Sequence, residues 1–540
     1  MMEIIKRMDQ RVYLLLSGIL LGLAVTFTEI GVLSYVALIP FFLVVFNRIN
    51  GGKYSFMAAY LDGFILFFAY YFISFHWFVY FYPLDFAGLG NVESILVVAI
   101  AWIGIPLVQA IFSALIYSLL SPLSRCRICR ENTITLTFIV TALFVVNEWT
   151  QTLTWAGIPW ARIALSQTNM PILMQTASLF GSYFLCFIIV LFNALVAVLM
   201  LKKDKRVIAG ALAAFVLLGN MLIGTVLYFL PSQSNENEVK IALVQGNLPS
   251  QEDRGLFFDG VLDRYEKNIR EAAGEGAEIV FLPEGVFVRE VNGLVSSDKH
   301  GLVRISKAMS DLSQELGVTI VIGTLFKDVD GSVYNSISVF YPDSTSDLGA
   351  YSKIKLVPFG EFVPFEDVVS AVAPILGMIN TLPEVLTGGD KSDVFVSAKN
   401  ENAINVGTLM CFDSIYATLG IESVKSGAEL LYIPSDDSWF YDSRALDMHH
   451  SHNILRAVEQ GRYTVSCGNT GITSIVNDKG EVIEKMPTFT EGYVLGAVQP
   501  VSTRTLYSHI GDILVLVSVV LIVIPLVFEL YFRKKENKTQ

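Results

Sequence analysis

A bundle of about eight membrane-spanning α-helices joined to an α/β domain is the fold class this sequence predicts, on three observations. The chain is 53% hydrophobic and only 16% charged, with a mean hydropathy of +0.54, whereas soluble chains carry about a quarter charged residues. Apolar runs long enough to cross a bilayer, which takes roughly 20 residues, recur at about 12–29, 31–47, 57–82, 93–120, 133–150, 172–201, 206–230 and 509–532. Between the seventh and eighth runs the composition becomes that of an ordinary globular domain, in which strand-like and helix-like patterns alternate. These shifts divide the chain into seven helices over 1–230, an α/β domain over 231–504, and an eighth helix with a tail over 505–540.

The first apolar run follows Lys6, Arg7 and Arg11 and lacks a convincing small-residue cleavage site, so it reads as a retained helix. It is so close to the second that the two predict a tight hairpin, tilted or re-entrant. Loops on the side of the N-terminus carry Arg48 and Lys53, then Arg125, Arg127 and Arg130, then Lys202, Lys203, Lys205 and Arg206; the tail adds Arg533, Lys534 and Lys535. Opposite loops carry Glu29, a Tyr82–Ser94 stretch without Lys or Arg, and a segment with only Arg162. The asymmetry predicts cytoplasmic termini and an outward-facing α/β domain. Asp62, His76, Glu148 and Trp155 lie in or beside the apolar runs, where such groups pack inside a bundle or line a lipid-entry groove. Cys126 and Cys129 form a lone CxxC, too few ligands for a metal site.

After the polar linker PSQSNENE come the strand-like VKIALVQGN, a helix near 256–274, AEIVFLPEG, a helix near 302–316, and TIVIGTL. A strand pair, SVYNSISVFYP and GAYSKIKLVP, precedes the strand NAINVGTLMCF, which ends at Cys411 with a helical pattern from about Ser414. A helix near 414–426, ELLYIPSDDSWF, a helix near 442–461, TVSCGNTGITSIVND and YVLGAVQP complete the domain. The span suffices for a large hydrophobic core. The net charge of −12 and the lack of a basic stripe exclude a nucleic-acid binder. The five cysteines, Cys126, Cys129, Cys186, Cys411 and Cys467, are too scattered for a disulfide framework.

Cys411 alone reads as easily as a small buried hydrophobe as a reactive thiol at a strand-to-helix junction, where a helix N-terminus and nearby cations stabilise thiolate. Two further segments add to it. The strand EIVFLPEG stops at Glu284, and YSKIKLVPFGEFVP places Lys353 ahead of a Pro/Gly loop that carries Glu361. A carboxylate, an ammonium and a thiol at successive strand ends supply the base, cation and nucleophile of acyl transfer through a thioester.

This Glu–Lys–Cys order resembles the carbon-nitrogen hydrolase (nitrilase) superfamily. With the string LVPFGEFVP and the membrane runs, the chain resembles the membrane-embedded family within it, the apolipoprotein N-acyltransferases. The resemblance covers essentially the whole chain. It implies a four-layer αββα sandwich, with Glu284 as general base, Lys353 as the cation at the tetrahedral intermediate and Cys411 as nucleophile. Backbone N–H groups after Cys411 would join the Lys353 ammonium at the oxyanion. It implies that Glu361 is a second essential carboxylate, where a surface ion pair is the plain alternative. Gly157-Ile-Pro-Trp160 matches a short outward loop of the family. Trp439 and Phe440 match an arm that covers the acyl chain, though both also read as core aromatics.

His449, His450 and His452 lie on a helical run ending in Arg456, Glu459 and Arg462 and read as structural or phosphate-adjacent, with no spacing for a metal. Asn469-Thr470-Gly471 matches a family turn, with Cys467 inert before it. The chain departs from the family at Phe412-Asp413, where many relatives carry Tyr-Glu, and at Asp436, where Asn is usual; this puts substrate choice or rate in doubt. The activity implied is transfer of an acyl chain from a membrane phospholipid, through a Cys411 thioester, to the N-terminal amine of a diacylglyceryl apolipoprotein. No cofactor and no metal are implied, and the expected state is a monomer in the bacterial inner membrane with its catalytic domain in the periplasm. A membrane-tethered amidohydrolase and a catalytically silent lipid-binding scaffold are the competing readings; intact Glu284, Lys353 and Cys411 argue against the second.

Overall fold

The computed structural model describes residues 9–52, 54–84, 89–232, 238–248, 258–290, 302–328, 330–365, 386–398 and 403–539. Lys6, Arg7, Lys53, Asn402 and linker residues 233–237 lie outside the described residues. The chain forms two compact units. One comprises Met1–Val79, Val98–Leu230 and Ile510–Gln540; the other comprises Tyr80–Val97 and Pro231–His509.

Among the described residues, seven helices are long and apolar enough to cross a membrane: Thr28–Asn50, Phe56–Ser74, Asn91–Arg125, Thr133–Thr150, Ser182–Leu201, Lys203–Phe229 and Ile513–Lys535; all but the start of Asn91–Arg125 fall in the first unit. The protein is therefore a multi-pass membrane protein. The first expected run forms the apolar helix Gln10–Thr26, whose 17 residues span only about 25 Å at 1.5 Å per residue. Its glycines admit the Phe56–Ser74 helix at close range: a Cβ on Gly18 would stand 2.3 Å from the Leu66 carbonyl oxygen. The run expected over 172–201 is broken, because Gly181 takes φ +75° between the short apolar helix Pro171–Phe180 and the Ser182–Leu201 span.

Charges inside this unit are paired. Arg48, expected in a loop, ends a helix and reaches Asp62 at 2.5 Å. Glu148 accepts the Ile163 N–H at 2.7 Å and lies 3.6 Å from the Arg162 guanidinium, which stacks 4.3 Å over Tyr183. His76 Nδ1 lies 2.9 Å from the Ile73 carbonyl, whereas Trp155 is exposed. Cys126 and Cys129 are buried free thiols.

The second unit is built on two sheets. The strands are Val239–Gln245 (β1), Ile279–Phe281 (β2), Phe287–Glu290 (β3), Thr319–Lys327 (β4), Val333–Phe340 (β5), Ser346–Ser352 (β6), Val394–Val396 (β7), Asn405–Thr408 (β8), Leu430–Ser435 (β9), Thr464–Gly468 (β10), Ser474–Val476 (β11), Val482–Lys485 (β12) and Gly492–Val498 (β13). One sheet runs β13-β1-β2-β4-β5-β6, with β3 also on β4; the other runs β12-β11-β10-β9-β8-β7. Pairing is parallel through β1-β2-β4 and β8-β9-β10 and antiparallel towards the edges.

Alternation along β1 shows the layering. Ile241 and Leu243 face a core shared with Val406, Tyr432 and Val465 of the other sheet, while Ala242 and Val244 pack on Tyr265, Ile269 and Met309 of the helices Phe258–Gly274 and Leu302–Leu316. The helices Ala417–Lys425 and Arg444–Gln460 belong to the second sheet's side. Cys467 lies at 0% exposure in the inter-sheet core, as its reading as inert requires.

Candidate active site

Polar residues gather just past the carboxyl ends of the parallel strands, where the α/β layout leaves backbone and side chains free to face a ligand. Glu284 follows β2, Cys411 follows β8, Asp436 and Asp437 follow β9, and Asn469 follows β10. Lys353 follows β6, held by its backbone N–H on the Asn335 carbonyl at 2.8 Å. Lys353 is 2% exposed and Glu284 6%, so both have left water.

The Lys353 ammonium bridges two carboxylates, at 2.9 Å from Glu284 Oε1 and 3.0 Å from Glu361 Oε1. Glu361 is therefore part of the buried cluster and not a surface ion pair. The amide of Asn335, on β5, donates to the same two oxygens at 2.7 and 2.8 Å. The remaining oxygens are also held: Glu284 Oε2 accepts the Asp436 N–H and Glu361 Oε2 the Val357 N–H, both at 2.9 Å. Burial alone pulls the lysine pKa down, but Glu284, Glu361 and Cys411 overcome it and hold the ammonium charged.

Cys411 sits at a strained turn. Its backbone takes φ +48°, rare for a residue with a Cβ. A short 3₁₀ turn, Cys411–Ile415, separates it from the Ala417–Lys425 helix, which begins later than the pattern from Ser414 predicts. Burial and Glu284 push the thiol well up; Lys353 pulls it down but is outweighed, with Asp437 and Glu361 adding to the rise. The lysine effect expected from sequence is present, yet at rest the sulfur is a neutral thiol because desolvation and three carboxylates dominate.

Phe412 is buried edge-on to Tyr416, with ring centroids 5.6 Å apart. Asp413 does structural work: it accepts the Tyr351 hydroxyl at 2.6 Å and the Lys355 N–H at 2.7 Å, clasping the Lys353 segment to the Cys411 turn. Burial raises its carboxyl to about 6, against those hydrogen bonds. Trp439 is 42% exposed on the 3₁₀ turn Asp437–Phe440 and is no core residue; Phe440 beside it is half-buried.

The histidines differ from one another. Burial, with Lys485 and His449 nearby, lowers His450 to about 3, so it is neutral, with Nε2 2.8 Å from the Ser474 hydroxyl. His449 Nδ1 lies 2.9 Å from Asp437 Oδ1, and its Nε2 lies 3.1 Å from the Cys411 carbonyl oxygen and 3.0 Å from the Ser414 hydroxyl. A thiol sulfur, an Asp437 oxygen and a His449 nitrogen lie within 4.8 Å of one another, a grouping of donors found nowhere else among the described residues. Both ring nitrogens are spent on hydrogen bonds, which makes Asp437–His449 a hydrogen-bonded dyad. Arg456 and Glu459 pair at 2.8 Å in the same helix, and Arg462 Nε donates to the Ala428 carbonyl at 2.8 Å. Asn469 takes the Leu248 N–H on Oδ1 at 3.1 Å and donates to Asp436 at 3.3 Å.

Sequence reasoning thus missed Asn335 and the Asp437–His449 pair. Asn335 shares the β5 segment VYNSISVF with Ser336 and Ser338, so nothing local singles it out, just as nothing local marks His449 from its two neighbours.

Residues 240–507 match the family model for carbon-nitrogen hydrolases, and residues 17–195 match that for the apolipoprotein N-acyltransferase N-terminal domain. The chain is 27% identical to the apolipoprotein N-acyltransferase of Gloeobacter violaceus over 522 residues, covering 94% of this chain and 92% of the relative. It is 27% identical to that of Haemophilus ducreyi over 407 residues, covering 74% and 76%, and 29% identical to that of Geobacter metallireducens over 396 residues, covering 71% and 72%. Among solved structures it resembles Nit3 of Saccharomyces cerevisiae, a member of branch 10 of the nitrilase superfamily. That likeness has TM-score 0.37 and 18% identity, over 51% of this chain and 94% of the other. Fold and site together define an enzyme of the carbon-nitrogen hydrolase class with a membrane-helix domain. The two family models and these relatives together support an apolipoprotein N-acyltransferase within that superfamily, and the chain is an acyltransferase.

Proposed function

We propose that the protein moves an acyl chain from a membrane phospholipid to the N-terminal amine of a diacylglyceryl apolipoprotein, by way of a thioester on Cys411. The observation that carries this reading is the buried Lys353 ammonium held between Glu284 and Glu361 beside a thiol at a positive-φ turn. Because the resting sulfur is protonated, it needs a base at the moment of attack, and Glu284 takes that proton. The sulfur–carbon bond forms, Lys353 and backbone N–H groups after Cys411 stabilise the oxyanion, and the ester carbon–oxygen bond breaks. The lysophospholipid alcohol leaves with the proton from Glu284. In the second half the acceptor amine attacks the thioester, its proton passes to Glu284, the carbon–sulfur bond breaks, and the thiol is restored.

Glu361 and Asn335 hold the Lys353–Glu284 pair in register, and exposed Trp439 with Phe440 supplies apolar surface for an acyl chain. The charge asymmetry of the loops supports an inner-membrane protein with its α/β domain in the periplasm. The test is to incubate the full-length protein with phospholipid and weigh the Cys411 peptide by mass spectrometry. An acyl adduct absent in Cys411→Ala and discharged by a diacylated lipopeptide is expected. Ammonia release from small amides without an adduct would favour the hydrolase reading instead.

A further inference from the structure

We infer that Asp437 and His449 form a buried positioning dyad that grips the carbonyl of Cys411 and thereby aims the Phe412 N–H at the oxyanion. The inference rests on the reading of Cys411 as the acylated residue. A trans peptide is planar, so its C=O and N–H point in opposite directions. The Cys411 carbonyl and the Phe412 N–H belong to one such peptide, and a group that fixes the former fixes the latter. His449 Nε2 stands 3.1 Å from that carbonyl oxygen. A carbonyl can only accept, so Nε2 donates to it, with the Ser414 hydroxyl oxygen 3.0 Å away sharing the same hydrogen; the Asp437 carboxylate, 2.9 Å from Nδ1, is likewise an acceptor. With a hydrogen on each nitrogen the ring is an imidazolium. Burial alone would lower the His449 pKa, but Asp437 and the Cys411 carbonyl, with a smaller contribution from Glu284, reverse this and raise it. The titratable groups around the ring include Asp437, Cys411, Glu284 and the neutral His450.

The dyad is built into the fold. Ser435 donates to Asp437 Oδ2 at 3.1 Å, and a Cβ on Gly471 would stand 2.8 Å from the Asp437 Cβ, so only glycine lets the turn after β10 close over it. His449 is 1% exposed and Asp437 3%. The positive φ of Cys411 gives the grip a purpose: a strained peptide left alone would relax and rotate its N–H away from the reacting carbonyl.

The test uses the full-length protein in lipid nanodiscs and compares two reactions of the same sulfur. Acylation by phospholipid develops an oxyanion; alkylation by iodoacetamide does not. His449→Leu is expected to slow single-turnover acylation about 100-fold, the cost of one oxyanion donor, with the phospholipid KM and the alkylation rate changed by less than about 3-fold. His449→Gln, whose amide N–H can reach the carbonyl, is expected to recover to within about 10-fold of the parent. Asp437→Asn, which keeps a hydrogen bond and removes a charge that also raises the thiol, is expected to lose about 10-fold in acylation while alkylation holds or quickens, which keeps the test decisive if the leucine variant does not fold. The inference is overturned if the Leu and Asn variants acylate like the parent, if alkylation falls in step with acylation, or if Gln is no better than Leu. Activity surviving in Cys411→Ala would instead overturn the thioester reading, independently of the histidine variants.

Discussion

The Tyr351 hydroxyl donates to the Asp413 carboxylate at 2.6 Å, so the strand that leads into Lys353 is tied to the turn that carries Cys411. The short Asp413 side chain reaches this hydroxyl and two backbone N–H groups at once. Its carboxyl sits at about 6 in the fold, raised first by burial, against about 3.9 in an unfolded chain. The native state therefore binds this proton more tightly, and the stabilising contribution is complete below about pH 4 and lost as the pH rises through about 6. At about 1.4 kcal/mol per tenfold change in proton affinity, that difference corresponds to about 3 kcal/mol as an upper figure. Asp413→Asn cannot titrate, so its Tm relative to the parent is expected to climb between about pH 4.5 and 6.5. Parallel melting curves across that range would reject the assignment.

Lys353→Met should abolish acyl-enzyme formation and also weaken the fold. It removes the cation between two buried carboxylates, and breaking such a pair from one side costs about 3–5 kcal/mol. Thermal melts and the adduct assay on the same preparation separate the two effects. An active variant of unchanged Tm would contradict the charge arrangement.

Asn335 donates to both carboxylates that flank Lys353. Asn335→Ala is expected to lower kcat about 10-fold and leave KM unchanged. Asn335→Asp, which sets a third carboxylate against two, is expected to be worse than alanine at neutral pH and to recover partly as the pH falls. Equal losses in the two variants, at every pH, would show that Asn335 only fills space.

Trp439 is 42% exposed, so Trp439→Ala should leave the Tm nearly unchanged, within about 0.5 kcal/mol of stability. If its ring covers an acyl chain, KM for phospholipid should rise, most for the longest chains, since each buried methylene contributes about 0.8 kcal/mol. A fall in Tm with no change in KM would make it a structural aromatic after all.

Much of the architecture was legible because it is written in short-range pattern. Membrane runs follow from the composition of roughly 20-residue windows, and β1 shows its two faces by simple alternation. Even there, one run of 172–201 concealed a break at Gly181, since a glycine inside an apolar stretch looks alike whether or not it turns. Asp413 read as a shortened Glu of uncertain consequence; its clasp on Tyr351 and Lys355 belongs to a segment some sixty residues away.

The order of residues by itself determined that the chain spans a membrane, that an α/β domain interrupts the helices, and that Glu284, Lys353 and Cys411 each end a strand-like segment. Only the tertiary structure decided that Asn335 joins Glu284 and Glu361, that Cys411 rests as a thiol, that Trp439 stays exposed and that His449 Nε2 stands against the Cys411 carbonyl. The physical reason is range. Periodicity and hydropathy are properties of neighbouring residues, whereas desolvation and hydrogen bonding depend on which distant segments meet, and that is settled when two sheets close over one core.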